Sequence, residues 1–185
     1  VLEAFWISTG IVALAEIGDK TQLLALVLAA KYRKPVPIIF GILVATLLNH
    51  AVAGYFGAWL AATIGEQMLK WILGVSFIAM AGWMLIPDKL DDEEERPARF
   101  GVFLTTLIAF FIVEIGDKTQ VATVFLAAKY ADVIAVVAGT TVGMMVANVP
   151  AVLLGEVAAK KLPMRLVHSV VAIVFLMLGL VILLN

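Results

Sequence analysis

The chain of 185 residues is 63% hydrophobic and 15% charged, with a mean hydropathy of +1.08. Soluble domains average roughly 45–50% apolar and about 25% charged residues, so the composition excludes a soluble globular domain and predicts an all-α integral membrane protein. A formal net charge of −1 says little about partners in a membrane protein, and no nucleic-acid partner is expected; the lack of cysteine excludes disulfides and thiolate metal sites.

A bilayer-spanning helix needs roughly 20 apolar residues. Six segments meet this, near 4–30, 36–61, 68–87, 101–128, 133–157 and 164–184. They are continuous apolar runs, unlike the alternating strands of about ten residues that build a membrane β-barrel. The first segment has no basic flank, is too long for a cleavable signal and contains Glu16 and Asp19. Its centre reads Glu16-Ile17-Gly18-Asp19-Lys20-Thr21-Gln22. The second carries Asn49 and His50 at mid-span. After the third comes the one long polar stretch, Asp88 to Arg99. The fourth repeats the seven-residue string as Glu114-Ile115-Gly116-Asp117-Lys118-Thr119-Gln120. The fifth carries Asn148, with Glu156 near its end, read as a solvated surface charge ahead of a vestibule acid, and His168 lies near one end of the sixth. Trp6, Trp59, Trp71 and Trp83 fall near span ends, where interfacial anchors sit. Gly139-x-x-x-Gly143 and Gly54-x-x-Gly57 are small-residue patterns of close helix packing.

The repetition extends beyond the string. Leu28-Ala29-Ala30-Lys31-Tyr32 recurs as Leu126-Ala127-Ala128-Lys129-Tyr130, and Gly41, Gly57 and Phe77 map onto Gly139, Gly155 and Phe175, all at an offset of 98. The expected organisation is a first three-helix repeat over 1–87, an acidic cytoplasmic linker over 88–100 and a second three-helix repeat over 101–185. Three spans per repeat make the two halves enter the membrane from opposite sides. The loops after spans one, three and five hold Lys31, Arg33, Lys34, Lys89, Arg96, Arg99, Lys160, Lys161 and Arg165, against Lys70 and Lys129 after spans two and four. The positive-inside rule then places the first set in the cytoplasm and both termini outside. Six transmembrane helices arranged as two inverted three-helix repeats are the result, an architecture in which transporters place substrate at the repeat interface near mid-membrane.

An ionisable group at that depth costs at least roughly 2.5–3.5 kcal/mol and marks a functional site by default. On a continuous helix Glu16 and Asp19 share a face at i and i+3, as do Asp19 and Gln22, and the second copy repeats this. Candidate metal ligands are Glu16, Asp19, Gln22, Glu114, Asp117 and Gln120. Asn49 and Asn148 can complete the sphere or line the path, as can His50, which corresponds to Asn148 at the repeat offset. Thr21 and Thr119 point off the ligand face unless the helix unwinds. Gly18 and Gly116 permit either unwinding or close packing, and residue type alone leaves both open. Lys20 and Lys118 can pair internally with Glu16 and Glu114, a purely structural reading, yet four acids against two lysines still leave a charge of −2. Oxygen donors of this kind suit hard divalent cations such as Ca²⁺, Mg²⁺ and Mn²⁺. Metal and protons compete for such carboxylates, which is the minimal requirement for antiport.

The doubled string resembles the signature E-x-G-D-[KR]-[ST] of a family of small cation/proton exchangers that includes Golgi calcium/manganese transporters and bacterial manganese exporters. Both copies match fully, and the resemblance covers the chain, with its two three-helix groups and acidic central loop. The compact length looks like the bacterial branch. The resemblance implies export of Mn²⁺, with Ca²⁺ as the alternative, in exchange for protons across the bacterial inner membrane, with the motif acids as the ion site. It implies no enzyme activity and no cofactor. The partners are then the divalent cation, protons and the lipid bilayer; the sequence carries no signal of oligomeric state. A passive channel would need a continuous polar path, an intramembrane enzyme would need a Ser/His pair or an HExxH pattern, and an amino-acid exporter of similar topology is the more distant alternative.

Overall fold

The computed structural model describes residues 1–86, 101–154 and 164–184. Among them the regular structure is all helical: α1 (Leu2–Ala15), α2 (Lys20–Tyr32), α3 (Pro35–Thr63), α4 (Glu66–Met84), α5 (Val102–Glu114), α6 (Lys118–Tyr130), α7 (Val133–Leu154) and α8 (Met164–Leu184). The acidic linker, Gly155, Glu156, Lys160 and Lys161 lie outside the described residues, as do the side chains of Arg165 and His168. By length and composition, α3, α4 and α7 can each cross a membrane.

Of the two uses that Gly18 and Gly116 left open within 4–30 and 101–128, the structure takes unwinding. Each segment is two helices, α1 with α2 and α5 with α6, broken within the repeated string. The cause is local. Gly18 and Gly116 sit at φ +80 and +76, a region that costs an L side chain about 1–2 kcal/mol. The following aspartates are extended, with ψ 164 at Asp19 and 161 at Asp117, and stand at the N-caps of α2 and α6. Asp19 fills the cap role by accepting from the Thr21 N–H at 3.3 Å. The face on which Glu16 and Asp19 were expected at helical spacing therefore does not form.

Helices from opposite halves of the chain pack together. α1 runs along α7, α5 along α3 and α4 along α8, while α3 also meets α6 and α7. Close contacts recur at the offset of 98. A Cβ on Gly41 would stand 2.9 Å from the Phe103 carbonyl oxygen and 2.7 Å from Thr106 Cβ. One on Gly139 would run into the Phe5 carbonyl and stand 3.1 Å from Ser8 Cβ. Gly143 lies just as tightly on the Thr9 carbonyl, and Gly57 on that of Val124, so both small-residue patterns are used for packing. Phe77 stacks on Phe175 with ring centroids 5.8 Å apart.

The distribution of polarity is inside out. Large apolar side chains such as Trp6, Val52, Trp59 and Trp71 face outward, as lipid contact requires, whereas Trp83 packs against an interior cluster of Phe77, Met80, Met84 and Phe175. All four motif carboxylates, Lys118, Asn49, His50 and Asn148 are buried. The motif carboxylates flank the helix breaks, so the ends of four helices meet the charged side chains there.

Candidate functional site

The two broken segments are built alike. In the first, the Asp19 N–H donates to the Glu16 carbonyl at 3.1 Å, and in the second the Asp117 N–H donates to the Glu114 carbonyl at 3.0 Å. The Gly18 N–H donates to Gln22 Oε1 at 2.9 Å, and the Gly116 N–H to Gln120 Oε1 at 2.7 Å. The last residue of the string thus reaches back to hold its glycine, and the loop is closed by its own sequence. The other ends of the two glutamines are also engaged. Gln22 Nε2 donates to the Ala147 carbonyl at 3.1 Å, and Gln120 Nε2 to Asn49 Oδ1 at 3.5 Å. Unwinding brings both threonines inward: Thr21 Oγ1 bonds Glu16 Oε2 and lies 3.4 Å from Asp19 Oδ2, and Thr119 Oγ1 lies 3.3 Å from Asp117 Oδ2.

Each glutamate is held by a helix of the other half. Glu114, at the end of α5, accepts from Thr46 Oγ1 at 2.7 Å and Asn49 Nδ2 at 3.0 Å, both on α3. Glu16, at the end of α1, accepts from Asn148 Nδ2 on α7 at 3.4 Å. Glu16 Oε1 and Asn148 Oδ1 are buried without a hydrogen-bond partner among the described residues. His50, the counterpart of Asn148, is fully buried and neither ring nitrogen has such a partner.

The three carboxylates of Glu16, Asp19 and Asp117 converge, each with an oxygen within 4.8 Å of the others. Two come from the first copy of the string and one from the second. Glu114 stands outside this group, with both oxygens taken by α3. Lys20 does not pair with Glu16. Its Nζ reaches across to Asp117 Oδ1 at 3.4 Å, with a quarter of the side chain exposed. Lys118 is buried, and its Nζ donates to the Ile86 carbonyl at 2.9 Å rather than pairing with Glu114. Lys20 thus pairs across the copies rather than within its own. Both α2 and α6 begin at this centre, so their positive N-terminal ends favour the clustered carboxylates.

Thr46, Met144 and the carbonyls of Ala147 and Ile86 belong to this neighbourhood and escaped the sequence reading. For Thr46 a signal existed: it stands at i−3 from Asn49 inside an apolar span, hence on the same face. Met144 stands at i−4 from Asn148 but is indistinguishable from lipid-facing or core methionine by type. Backbone carbonyls carry no sequence signal.

The matched family model, described as "Divalent cation/proton antiporter GDT1", covers residues 4–92 and 102–185. A protein of Vibrio cholerae named "Putative manganese exporter" is 55% identical over 181 residues, spanning 97% of this chain and 90% of the relative. A GDT1-like protein of Synechocystis is 25% identical over 200 residues, 98% of this chain and 97% of its own. GDT1-like protein 3 of Oryza sativa is 25% identical over 203 residues, 95% of this chain and 72% of its own. No solved structure matches the chain. A doubled E-x-G-D-K-T string at two helix breaks, its carboxylates gathered across the halves, and a family match over nearly all of the sequence lead to one assignment: this chain is a multi-pass membrane protein of the divalent cation/proton antiporter family GDT1.

Proposed function

We propose that the chain exports Mn²⁺ from a bacterial cytoplasm in exchange for protons, across the inner membrane, through one central site to which both motif copies contribute. The observation that carries this reading is the convergence of Glu16 and Asp19 with Asp117 within 4.8 Å. The cluster gathers an excess of carboxylate oxygens that the Lys20 ammonium offsets in part at Asp117, a donor set suited to a divalent cation. In a dry interior such an excess is costly unless a cation or protons offset it. Metal and protons competing for the same oxygens give a carrier that holds one or the other. Moving two charges outward against an inside-negative potential costs about 4.6 kcal/mol per 100 mV, which inward protons offset. The likeness to a relative named as a manganese exporter favours Mn²⁺ over Ca²⁺.

In this reading Glu16, Asp19 and Asp117 are the central ligands, and Glu114 is the fourth carboxylate, held ready by Thr46 and Asn49. Asn148 supplies an amide beside Glu16. Gln22 and Gln120 hold the loops, Thr21 and Thr119 orient the carboxylates, and Lys20 is the internal counter-ion. The chain is read as six spans, α1/α2, α3 and α4 within 1–87 and α5/α6, α7 and α8 within 101–185, joined by a cytoplasmic linker over 88–100. The paired contacts of Gly41 with Phe103 and Gly139 with Phe5 support a repeat, and the stacking of Phe77 on its own counterpart Phe175 fits a two-fold axis passing between them. The lysine and arginine bias of the loops supports inversion, with both termini outside.

The test is flux of Mn²⁺, Ca²⁺ and Mg²⁺ into proteoliposomes across an imposed pH gradient. Mn²⁺ movement is expected to follow the gradient, and Glu16→Gln or Asp117→Asn to abolish it while the protein still inserts and folds. Wild-type flux in either variant sinks the central site. Flux indifferent to the gradient makes the protein a channel, and a preference for Ca²⁺ replaces the cargo.

A further inference from the structure

The two half-sites match in geometry but differ in one donor atom. On α3 the glutamate of the other half meets Thr46 and Asn49; on α7 it meets Asn148, one turn after Met144, while Gln22 bonds the neighbouring Ala147 carbonyl. At the offset of 98 the counterpart of Thr46 is Met144. A hard hydroxyl donates to Glu114, whereas in the other half a soft thioether shares the Asn148 amide with Glu16.

The thioether is not ordinary core filling. Met144 is fully buried, and its Sδ lies 3.0 Å from Asn148 Nδ2. That same nitrogen lies 3.1 Å from the Met144 carbonyl and 3.4 Å from Glu16 Oε2. Three acceptors of different hardness therefore converge on one NH₂ group. Asn148 Oδ1 and Glu16 Oε1 are buried beside it without a partner among the described residues. A half-turn of the amide brings Oδ1 to the side of the sulfur and the carboxylate. A cation between them then satisfies all three and takes over the role of the NH₂ protons. The turn is held firmly, because Gly143 lies against the Thr9 carbonyl and the Ala13 nitrogen of α1, and Gln22 bonds the Ala147 carbonyl.

We propose that Met144 is a specificity-determining residue of the transport site, placing a thioether beside an otherwise all-oxygen donor set so that a transition-metal ion is preferred over Ca²⁺ and Mg²⁺. This rests on the central site proposed above and adds the basis of its selectivity. Carboxylate and amide oxygens alone accept Ca²⁺, Mg²⁺ and Mn²⁺ without a decisive preference. A thioether adds little to the two hard ions and contributes increasingly as the ion softens. Cd²⁺, a soft ion, is the sensitive probe, and Mn²⁺ falls between.

The experiment uses full-length protein in proteoliposomes, with Mn²⁺ and Ca²⁺ transport measured in competition and Cd²⁺ as an inhibitor of Mn²⁺ transport. Met144→Leu keeps the bulk and removes the sulfur; Met144→Thr installs the donor found in the other half. Both are expected to lower the Mn²⁺-to-Ca²⁺ transport ratio several-fold and to weaken Cd²⁺ inhibition by about tenfold, the scale of losing one supporting group at a metal site, while Ca²⁺ transport persists. An unchanged ratio in both variants overturns the proposal, and so does an equal loss for every ion, which marks a packing role. Failure here is separable from failure of the central site: wild-type selectivity in Met144→Leu beside a dead Glu16→Gln removes the thioether and keeps the carboxylates, whereas a live Glu16→Gln removes both.

Discussion

Lys20 carries its charge to the other half of the protein. Its ammonium stands on Asp117 rather than on Glu16, four residues earlier in its own string. Residue spacing alone favours the local pair, since i and i+4 are neighbours on a helix. The glycine at φ +80 removes the helix on which that spacing depends. The sequence therefore disclosed which groups are charged and that acids outnumber lysines, but not who pairs with whom. Partner choice is a tertiary fact, and both copies of the string offer identical partners. The pairing has a consequence for binding. Removing Lys20 takes one positive charge away from the three-carboxylate group, so a divalent cation bound there is expected to be held more tightly and released more slowly. Lys20→Gln is expected to lower the Kd for Mn²⁺ about tenfold, within the range of one unit charge several ångströms away in a partly screened site, and to lower maximal transport. Equilibrium Mn²⁺ titration of the purified protein alongside flux checks both halves of the statement. Weaker binding in Lys20→Gln would show that the lysine builds the site rather than balancing it.

The helix breaks are the least legible elements and the ones that make the site. Apolar character marked out the segments 4–30 and 101–128, each of which is helical apart from its break, but hydropathy does not report whether the backbone inside is continuous. Gly18 and Gly116 were ambiguous because glycine serves both close packing and positive φ. Elsewhere in the chain the packing use is real, as at Gly41, Gly139 and Gly143. At the break a second residue decides: Gln22 and Gln120, four positions on, bond the glycine N–H that a continuous helix would have engaged. Gly10 and Gly116 offer a controlled comparison, since a Cβ at either meets nothing within 4 Å. Gly10 lies within α1, while Gly116 sits at φ +76. Gly116→Ala is expected to destabilise by about 1–2 kcal/mol through backbone strain alone and to depress transport. Gly10→Ala is expected to be neutral or stabilising by about 0.5–1 kcal/mol. Thermal melts in detergent paired with Mn²⁺ flux distinguish the two. Equal behaviour would mean that the break does not depend on the glycine conformation.

At the scale of the whole molecule, the two halves are interlocked rather than set side by side. Every strong helix pairing joins opposite halves, α1 to α7, α5 to α3 and α4 to α8. The repeat was legible because it is written at a constant offset without a gap. The interlocking was not, since two consecutive three-helix units predict equally well two bundles touching along one face. Interlocking explains how one string supplies two carboxylates and the other supplies the third. It also makes the relative orientation of the halves decisive for mechanism, because inverted halves can exchange roles when the site opens to the other side of the membrane. Val36 and Ile134 test that orientation directly. They are counterparts at the offset of 98, each in the first turn of its helix, and their exposures are 61% and 82%. The chain has no native cysteine, so single substitutions need no altered background. With a membrane-impermeant maleimide on intact cells, Ile134→Cys is expected to label and Val36→Cys to label only after permeabilisation. Labelling of both from one side would mean parallel halves, and the two copies of the string could not then meet at one depth from opposite faces of the bilayer.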